Sequence, residues 1–412
     1  MRASMLFSAP LLFSASLLGN GWEPVSQRTE LMPKFSTDRT SGDLMIKGNG
    51  DFRANGAWRR SFPVQEKTYY RVRARYRASD IELPRRSVLV QVDWKDAEGS
   101  RVGYPDYPAT LETGTDGWTR VESGYMSPAG AASATVDLTF RWDDNGSVRW
   151  AEKDISLEAA EPPAPRHITI ATINHRPQRS SGPLQNLKEF GELVAQAGKQ
   201  GADIVCLPEG VTVVGTGKSY LDVAEPVPGP TTEFLGKIAR EHELYIVAGL
   251  YEKVEETLYN TAVLIDREGN VAGSYRKVSL PREEIEGGIT PGQDFPVFQT
   301  DFGRVGMMIC WDLHFSEPAR RLAASGAEII FLPIWGGNEL LFPARAIENQ
   351  VHLVSSSYDA PTAIWDRTGK MVSNAPEKGD IAVYKVNLEE RTSWEWLGDF
   401  RDRIPREAPP VR

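Results

Sequence analysis

Cysteine is nearly absent from this chain: two residues, Cys206 and Cys310, in 412. Neither belongs to a CxxC pair or a Cys/His cluster with zinc-ligand spacing, which argues against a disulfide framework and a thiolate metal site. Histidine is also sparse, with His167, His175, His242, His314 and His352 scattered and no HExxH motif. The expectation is therefore no metal, and no motif calls for an organic cofactor. Long apolar runs are missing, since nothing approaches the roughly 18 residues that a membrane-crossing helix needs. An excess of positive charge is missing too: 47 Lys and Arg stand against 56 Asp and Glu, a formal net charge of −9. That balance speaks against a nucleic-acid partner, whose phosphates reward surplus Lys and Arg.

What is present is ordinary globular composition, 41% hydrophobic and 25% charged. At this length one core usually stops growing and a second domain begins. At the N-terminus Arg2 precedes an apolar run, residues 5–18, of the length of a signal-peptide core. Residues 1–20 are thus expected to direct the chain to a secreted or periplasmic location. The alternative is an ordinary leader on a cytoplasmic protein. The sharpest punctuation is Glu161-Pro-Pro-Ala-Pro-Arg166, three prolines in six residues, which favours extended backbone and marks a linker over 161–166.

Upstream, over 21–160, the period is two. Tyr70, Val72, Ala74 and Tyr76 alternate with four arginines, so one face meets a core and the other meets water. The pattern repeats from Val88 to Trp94 and from Ala134 to Trp142, and Asp143-Asp-Asn-Gly146 supplies the chemistry of a hairpin turn. These signals predict an all-β sandwich, whose wording resembles the jelly-roll accessory modules of secreted enzymes. Its tryptophans are read either as core or as a stacking platform for a glycan partner.

Downstream, over 167–390, strand and helix patterns alternate. Residues 168–173, 203–207, 245–250, 305–309 and 329–332 read as strands, and 262–265 with 271–277 as a hairpin. Leu184, Leu187, Phe190, Leu193, Val194 and Ala197 recur at helical spacing before Gly201. The class is α/β, a layered domain.

Three chemically active residues sit at strand ends in this region. Cys310 ends the apolar run Val305-Gly-Met-Met-Ile309, with a helix expected soon after, Ser316 as its N-cap. Glu209 follows Ile204-Val-Cys-Leu-Pro208, and Lys277 follows Val271-Ala-Gly-Ser-Tyr-Arg276. By itself Cys310 reads first as a buried structural thiol, as Cys206 does. Together the three form an informative set: a carboxylate can take a thiol proton and return it to a leaving amine, while an ammonium holds an oxyanion.

The phrases around them are specific. Leu207-Pro-Glu209, Tyr275-Arg-Lys-Val-Ser-Leu280, Thr290-Pro-Gly292, Phe302-Gly-Arg-Val-Gly306, Ile309-Cys-Trp-Asp312 and Arg345-Ala-Ile-Glu-Asn349 resemble the nitrilase superfamily of carbon–nitrogen hydrolases. The resemblance spans residues 166 to about 405. It implies a four-layer α-β-β-α sandwich and a catalytic triad of Glu209, Lys277 and Cys310. It also implies a small amide or N-carbamoyl substrate and frequent assembly into homodimers or larger homo-oligomers. The family's second active-site glutamate falls on Glu286 or Glu284, with Glu286 the preferred position. Asp312 after the nucleophile resembles amidases and N-carbamoyl hydrolases more than true nitrilases. Ser279, His314 and Ser316 depart from the usual family residues without touching the triad. Arg345 and Glu348 read equally as a structural ion pair or as substrate contacts. The end of the chain, 391–412 with Trp394 and Trp396, resembles arms that embrace a neighbouring subunit, with packing inside one chain as the alternative.

Overall fold

The computed structural model describes residues 21–391, 393–394, 398–399 and 404. The leader 1–20 and most of the 391–412 segment, Trp396 included, lie outside the described residues. Two compact units are present, Met1–Pro163 together with Ser393–Arg412, and Ala164–Thr392. The division falls inside the proline-rich segment.

The first unit carries two large antiparallel sheets among its described residues, beside a two-stranded one of Ser393–Trp394 and Gly398–Asp399. One runs in the order Glu23–Val25, Asn55–Pro63, Ser133–Arg141, Val88–Lys95. The other runs Lys34–Thr37, Leu44–Lys47, Ser147–Trp150, Tyr69–Ser79, Thr119–Met126, Thr110–Thr113, with Ser156–Ala159 also paired to Tyr69–Ser79. Their facing sides interdigitate in one core of Trp58, Val72, Tyr76, Val90, Trp94, Val136, Phe140 and Trp150. Burying each such side chain contributes roughly 1.5–3 kcal/mol. The period-two strand behaves as its alternation requires: Val72, Ala74 and Tyr76 are buried, while Arg73 reaches Glu122 and Arg75 reaches Asp154 on the outer face.

Two expectations change here. The Asp143–Gly146 turn closes no hairpin, because the strand before it pairs within the first sheet and the strand after it within the second. The turn carries the chain from one sheet to the other, with Asp143 Oδ1 accepting the Gly146 N–H at 2.7 Å. Turn chemistry reports a reversal of direction, and the hydrophobic pattern of both strands faces the same core from opposite sides. The tryptophans divide: Trp22, Trp58, Trp94 and Trp150 are buried in the core, whereas Trp142 is exposed beneath Arg86 and Arg141 and Trp118 is half-buried beside Arg75 and Arg77.

The second unit holds two six-stranded sheets. The order in one is Val271–Arg276, Thr257–Ile265, Tyr245–Val254, Ile204–Cys206, His167–Ile173, Ile381–Asn387. In the other it is Val297–Gln299, Arg304–Met307, Ile329–Pro333, His352–Ser356, Ala363–Trp365, Met371–Asn374. The central strands of each sheet are parallel. Strands covered on both sides read as unbroken apolar runs, which is the pattern seen in the sequence. One face of the first sheet (Ile170, Ile204, Cys206, Val247) packs with Val305, Met307 and Phe331 of the second. Its other face (Ala171, Val205, Ile246, Val263) takes Leu187, Phe190 and Val194 of helix Pro183–Lys199 and Leu235 of helix Pro230–His242. Helices Ser316–Ala324 and Leu341–Asn349 pack on the second sheet. Helix, sheet, sheet and helix thus lie in four layers.

Candidate active site

Cys310, Glu209 and Lys277 follow three different strands, and the fold brings their side chains together. Glu209 stands three residues beyond Ile204–Cys206, where the chain is pressed against the neighbouring strand. A β-carbon on Gly249 would lie 2.7 Å from the Glu209 Cα, so glycine permits the approach. Lys277 follows Val271–Arg276 directly. Cys310 opens a short 3-10 turn, Cys310–His314, three residues past Arg304–Met307, and its φ of 44° lies in the left-handed region that side chains resist. Such strain costs about 1–3 kcal/mol and recurs at nucleophiles set on a sharp turn between strand and helix. Helix Ser316–Ala324 follows; its N-cap is Phe315, with no side-chain cap, and Ser316 is its first residue. The 3-10 turn ahead of it shifts the helix start by one position relative to the sequence expectation.

The three side chains are removed from water, with Lys277 and Glu209 at 1% and 2% exposure. Lys277 Nζ lies 2.9 Å from Glu209 Oε1 and 2.9 Å from Glu284 Oε2. Asn260 Nδ2 donates to Glu209 Oε1 at 2.7 Å and to Glu284 Oε1 at 2.5 Å. Glu209 Oε1 therefore accepts two hydrogen bonds. Burial pushes the Cys310 thiol well above its usual range, the Glu209 carboxylate adds to this and Lys277 opposes, while the thiol itself points to Gly336 O at 3.9 Å. Cys310 thus rests as a neutral thiol, and its use as a nucleophile would call for proton removal during attack. Burial pulls the Lys277 ammonium down, but the Glu209 and Glu284 carboxylates, each 2.9 Å away, outweigh it and keep the charge.

The second glutamate needs correcting. Glu286 is exposed and paired with Arg282 one helical turn away, whereas Glu284 is buried against Lys277 and Asn260. Both belong to the short helix Arg282–Glu286, and residues two apart project to different sides. Burial, opposed by Lys277 and assisted by Glu209, pushes Glu284 up to about 7. An ionisation near that value is expected in the kcat/KM profile, absent in Glu284→Gln and intact in Glu286→Ala. The folded form holds the Glu284 proton from about 4.5, the usual carboxylate value, to about 7. The stability due to this group is therefore present below that window and lost as pH rises through about 7.

Asp312 has a role that spacing alone does not reveal. Wholly buried, it accepts from Ile309 N at 3.0 Å, from the Tyr275 hydroxyl at 2.7 Å and from Ser279 N at 2.9 Å. It ties the residue before Cys310 to residues on both sides of Lys277, so any influence on substrate choice passes through positioning. Asp312→Ala leaves three donors without acceptors. It is expected to cost roughly 3 kcal/mol in denaturant titrations and about 10²-fold in turnover. Arg345 resolves as structural: buried, it donates to Leu313 O at 3.1 Å in the turn after Cys310 and pairs with Glu348 at 2.8 Å. Sequence reasoning missed Asn260, although an Asn inside the apolar strand Thr257–Ile265 is a signal in itself, since strands are poor in Asn. Cys206 is fully buried in the core, and burial pushes its thiol up. Among the described residues, no three His, Cys, Asp or Glu side chains group in a metal-holding arrangement.

A sequence profile for the family described as carbon-nitrogen hydrolase matches residues 169–395. A protein named nitrilase from Pyrococcus abyssi is 37% identical over 235 residues, which is 54% of this chain and 87% of the relative. The human omega-amidase NIT2 is 32% identical over 257 residues, 55% of this chain and 90% of that protein. Among solved structures, an amidase from Nesterenkonia sp. covers 54% of this chain and 93% of its own at 26% identity, with a TM-score of 0.48. The profile spans more than half of the chain, and the chain belongs to the carbon-nitrogen hydrolase family, whose members act on carbon–nitrogen bonds other than peptide bonds.

Proposed function

We propose that the protein hydrolyses a small non-peptide amide or N-carbamoyl compound through a thioester on Cys310. The observation that carries this reading is the convergence of a buried thiol, carboxylate and ammonium, with Lys277 Nζ 2.9 Å from Glu209 Oε1 and both charges acting on the Cys310 thiol. Glu209 takes the thiol proton as sulfur attacks the carbonyl carbon. Lys277 and the main chain just after Cys310 stabilise the oxyanion. Collapse of the tetrahedral intermediate breaks the carbon–nitrogen bond, and Glu209 returns the proton to the departing nitrogen as ammonia or an amine. Water then adds to the thioester, giving its proton to Glu209. The second collapse expels sulfur, which recovers that proton, and releases the acid.

The relatives named omega-amidase support an amide substrate, and the relative named nitrilase supports a nitrile as the second reading. Ammonia release from panels of amides, N-carbamoyl compounds and nitriles, with Cys310→Ala as blank, separates them. Amide or carbamoyl turnover is expected; nitrile turnover alone overturns the reading. Export of the chain, proposed from the leader, is tested by the mass of the mature N-terminus after expression in a secreting host. Light scattering tests the proposed homo-oligomer.

A further inference from the structure

The outer face of the four-stranded sheet in the first unit is concave and unlike an ordinary solvated face. Strand register sets Arg59, Asp137 and Gln91 side by side across three strands, with Thr135 beside Asp93 in the next row. Above them lies a groove of 780 Å³, within the size range of ligand sites. On its floor Asp93 and Asp137 are only 5% and 8% exposed. Arg59 grips Asp137 through two bonds of 2.7 Å, while Arg101 reaches Asp93 at 2.7 Å and Gln91 donates to the same carboxylate at 2.6 Å. Carboxylates buried this deeply gain little net stability from their ion pairs, so stability does not account for placing them there.

Three features of the groove select its occupant. It is a sheet face, so it offers no unpaired backbone edge for a peptide strand. Its lining has no aromatic side chain and few apolar ones, which leaves a protein partner without the anchors that carry binding energy. Its planar guanidinium, carboxylate and carboxamide groups instead present donors and acceptors in fixed pairs, which suit adjacent hydroxyls on a sugar ring. The lining holds four cations, Arg59, Lys95, Arg101 and Arg141, against two carboxylates, in a chain whose net charge is −9. We infer that this groove binds an anionic oligosaccharide, gripping ring hydroxyls with its Arg, Asp and Gln pairs and acidic substituents with its surplus cations.

The assignment is independent of the chemistry at Cys310. Isothermal titration of the full chain uses a galacturonic acid hexamer, a sulfated galactose hexamer, the uncharged galactose hexamer and a polyglutamate peptide. Binding of either anionic sugar, weakened by salt, is expected, and which one binds tells whether carboxylate or sulfate is recognised. Gln91→Ala and Lys95→Ala, both on partly exposed side chains, are expected to weaken it by about tenfold each. Lys153→Ala, in the 3-10 turn Glu152–Asp154 beyond the opposite sheet's Ser147–Trp150, leaves it unchanged, and all three variants remain folded and retain amide turnover. Absence of binding by both anionic sugars overturns the inference. So does equal binding of the uncharged hexamer, preference for polyglutamate, or affinity unaltered by Gln91→Ala and Lys95→Ala.

Discussion

Cys310→Ala is expected to abolish turnover, by roughly 10⁴-fold or more, while the protein unfolds at nearly the same denaturant concentration. The covalent step disappears with the sulfur, and Glu209 and Lys277, left in place, have no nucleophile to activate. The packing change is small, because one sulfur is removed from a residue that sits at the site surface and is 9% exposed. Loss of the left-handed cysteine brings no relief, since alanine at φ 44° meets the same backbone penalty. Turnover is read by ammonia release and stability by urea titration. A variant within tenfold of the parent rate would remove Cys310 from the mechanism. Labelling provides a second reading: an electrophilic amide analogue should modify Cys310 and spare Cys206, which is walled into the core.

Lys277→Met is expected to damage both stability and catalysis. The ammonium lies 2.9 Å from each of two buried carboxylates, and removing it leaves Glu209 and Glu284 facing each other with Asn260 as their shared donor. Breaking a buried charge network in this way costs about 3–5 kcal/mol. Losing the oxyanion contact costs on the order of 10²–10³ in turnover. The sign of the pH effect follows from Glu284. Lys277 holds that carboxyl down, so without it the folded-state value climbs further above the usual 4.5. The folded variant then binds a proton that the unfolded chain releases, and its stability falls as pH rises from about 4.5 upward. Denaturant titrations at pH 5 and pH 8 should show the deficit shrinking at the lower pH. A deficit equal at both would show that packing, and not charge, dominates at this position.

Much of this was legible along the chain because its signals are local. Strand alternation at Tyr70–Tyr76, an unbroken apolar run at Val305–Ile309 and the prolines at 162, 163 and 165 each report which face or which boundary a segment has, through side-chain period and backbone restriction. The wording around Glu209, Lys277 and Cys310 was enough to identify the family. Tertiary structure decided whatever depends on direction in space. Two glutamates two residues apart look alike in sequence, yet one turn of helix puts Glu284 on Lys277 and Glu286 in water. Asp312 reads as a neighbour of the nucleophile, and only folding shows it joining Ile309, Tyr275 and Ser279 into one support. The polar groove over Arg59, Gln91 and Asp137 is assembled from strands far apart in the chain. Period and composition set each segment's buried face; which buried or grooved groups meet depends on register between distant strands, and that is fixed only when the sheets close on their cores.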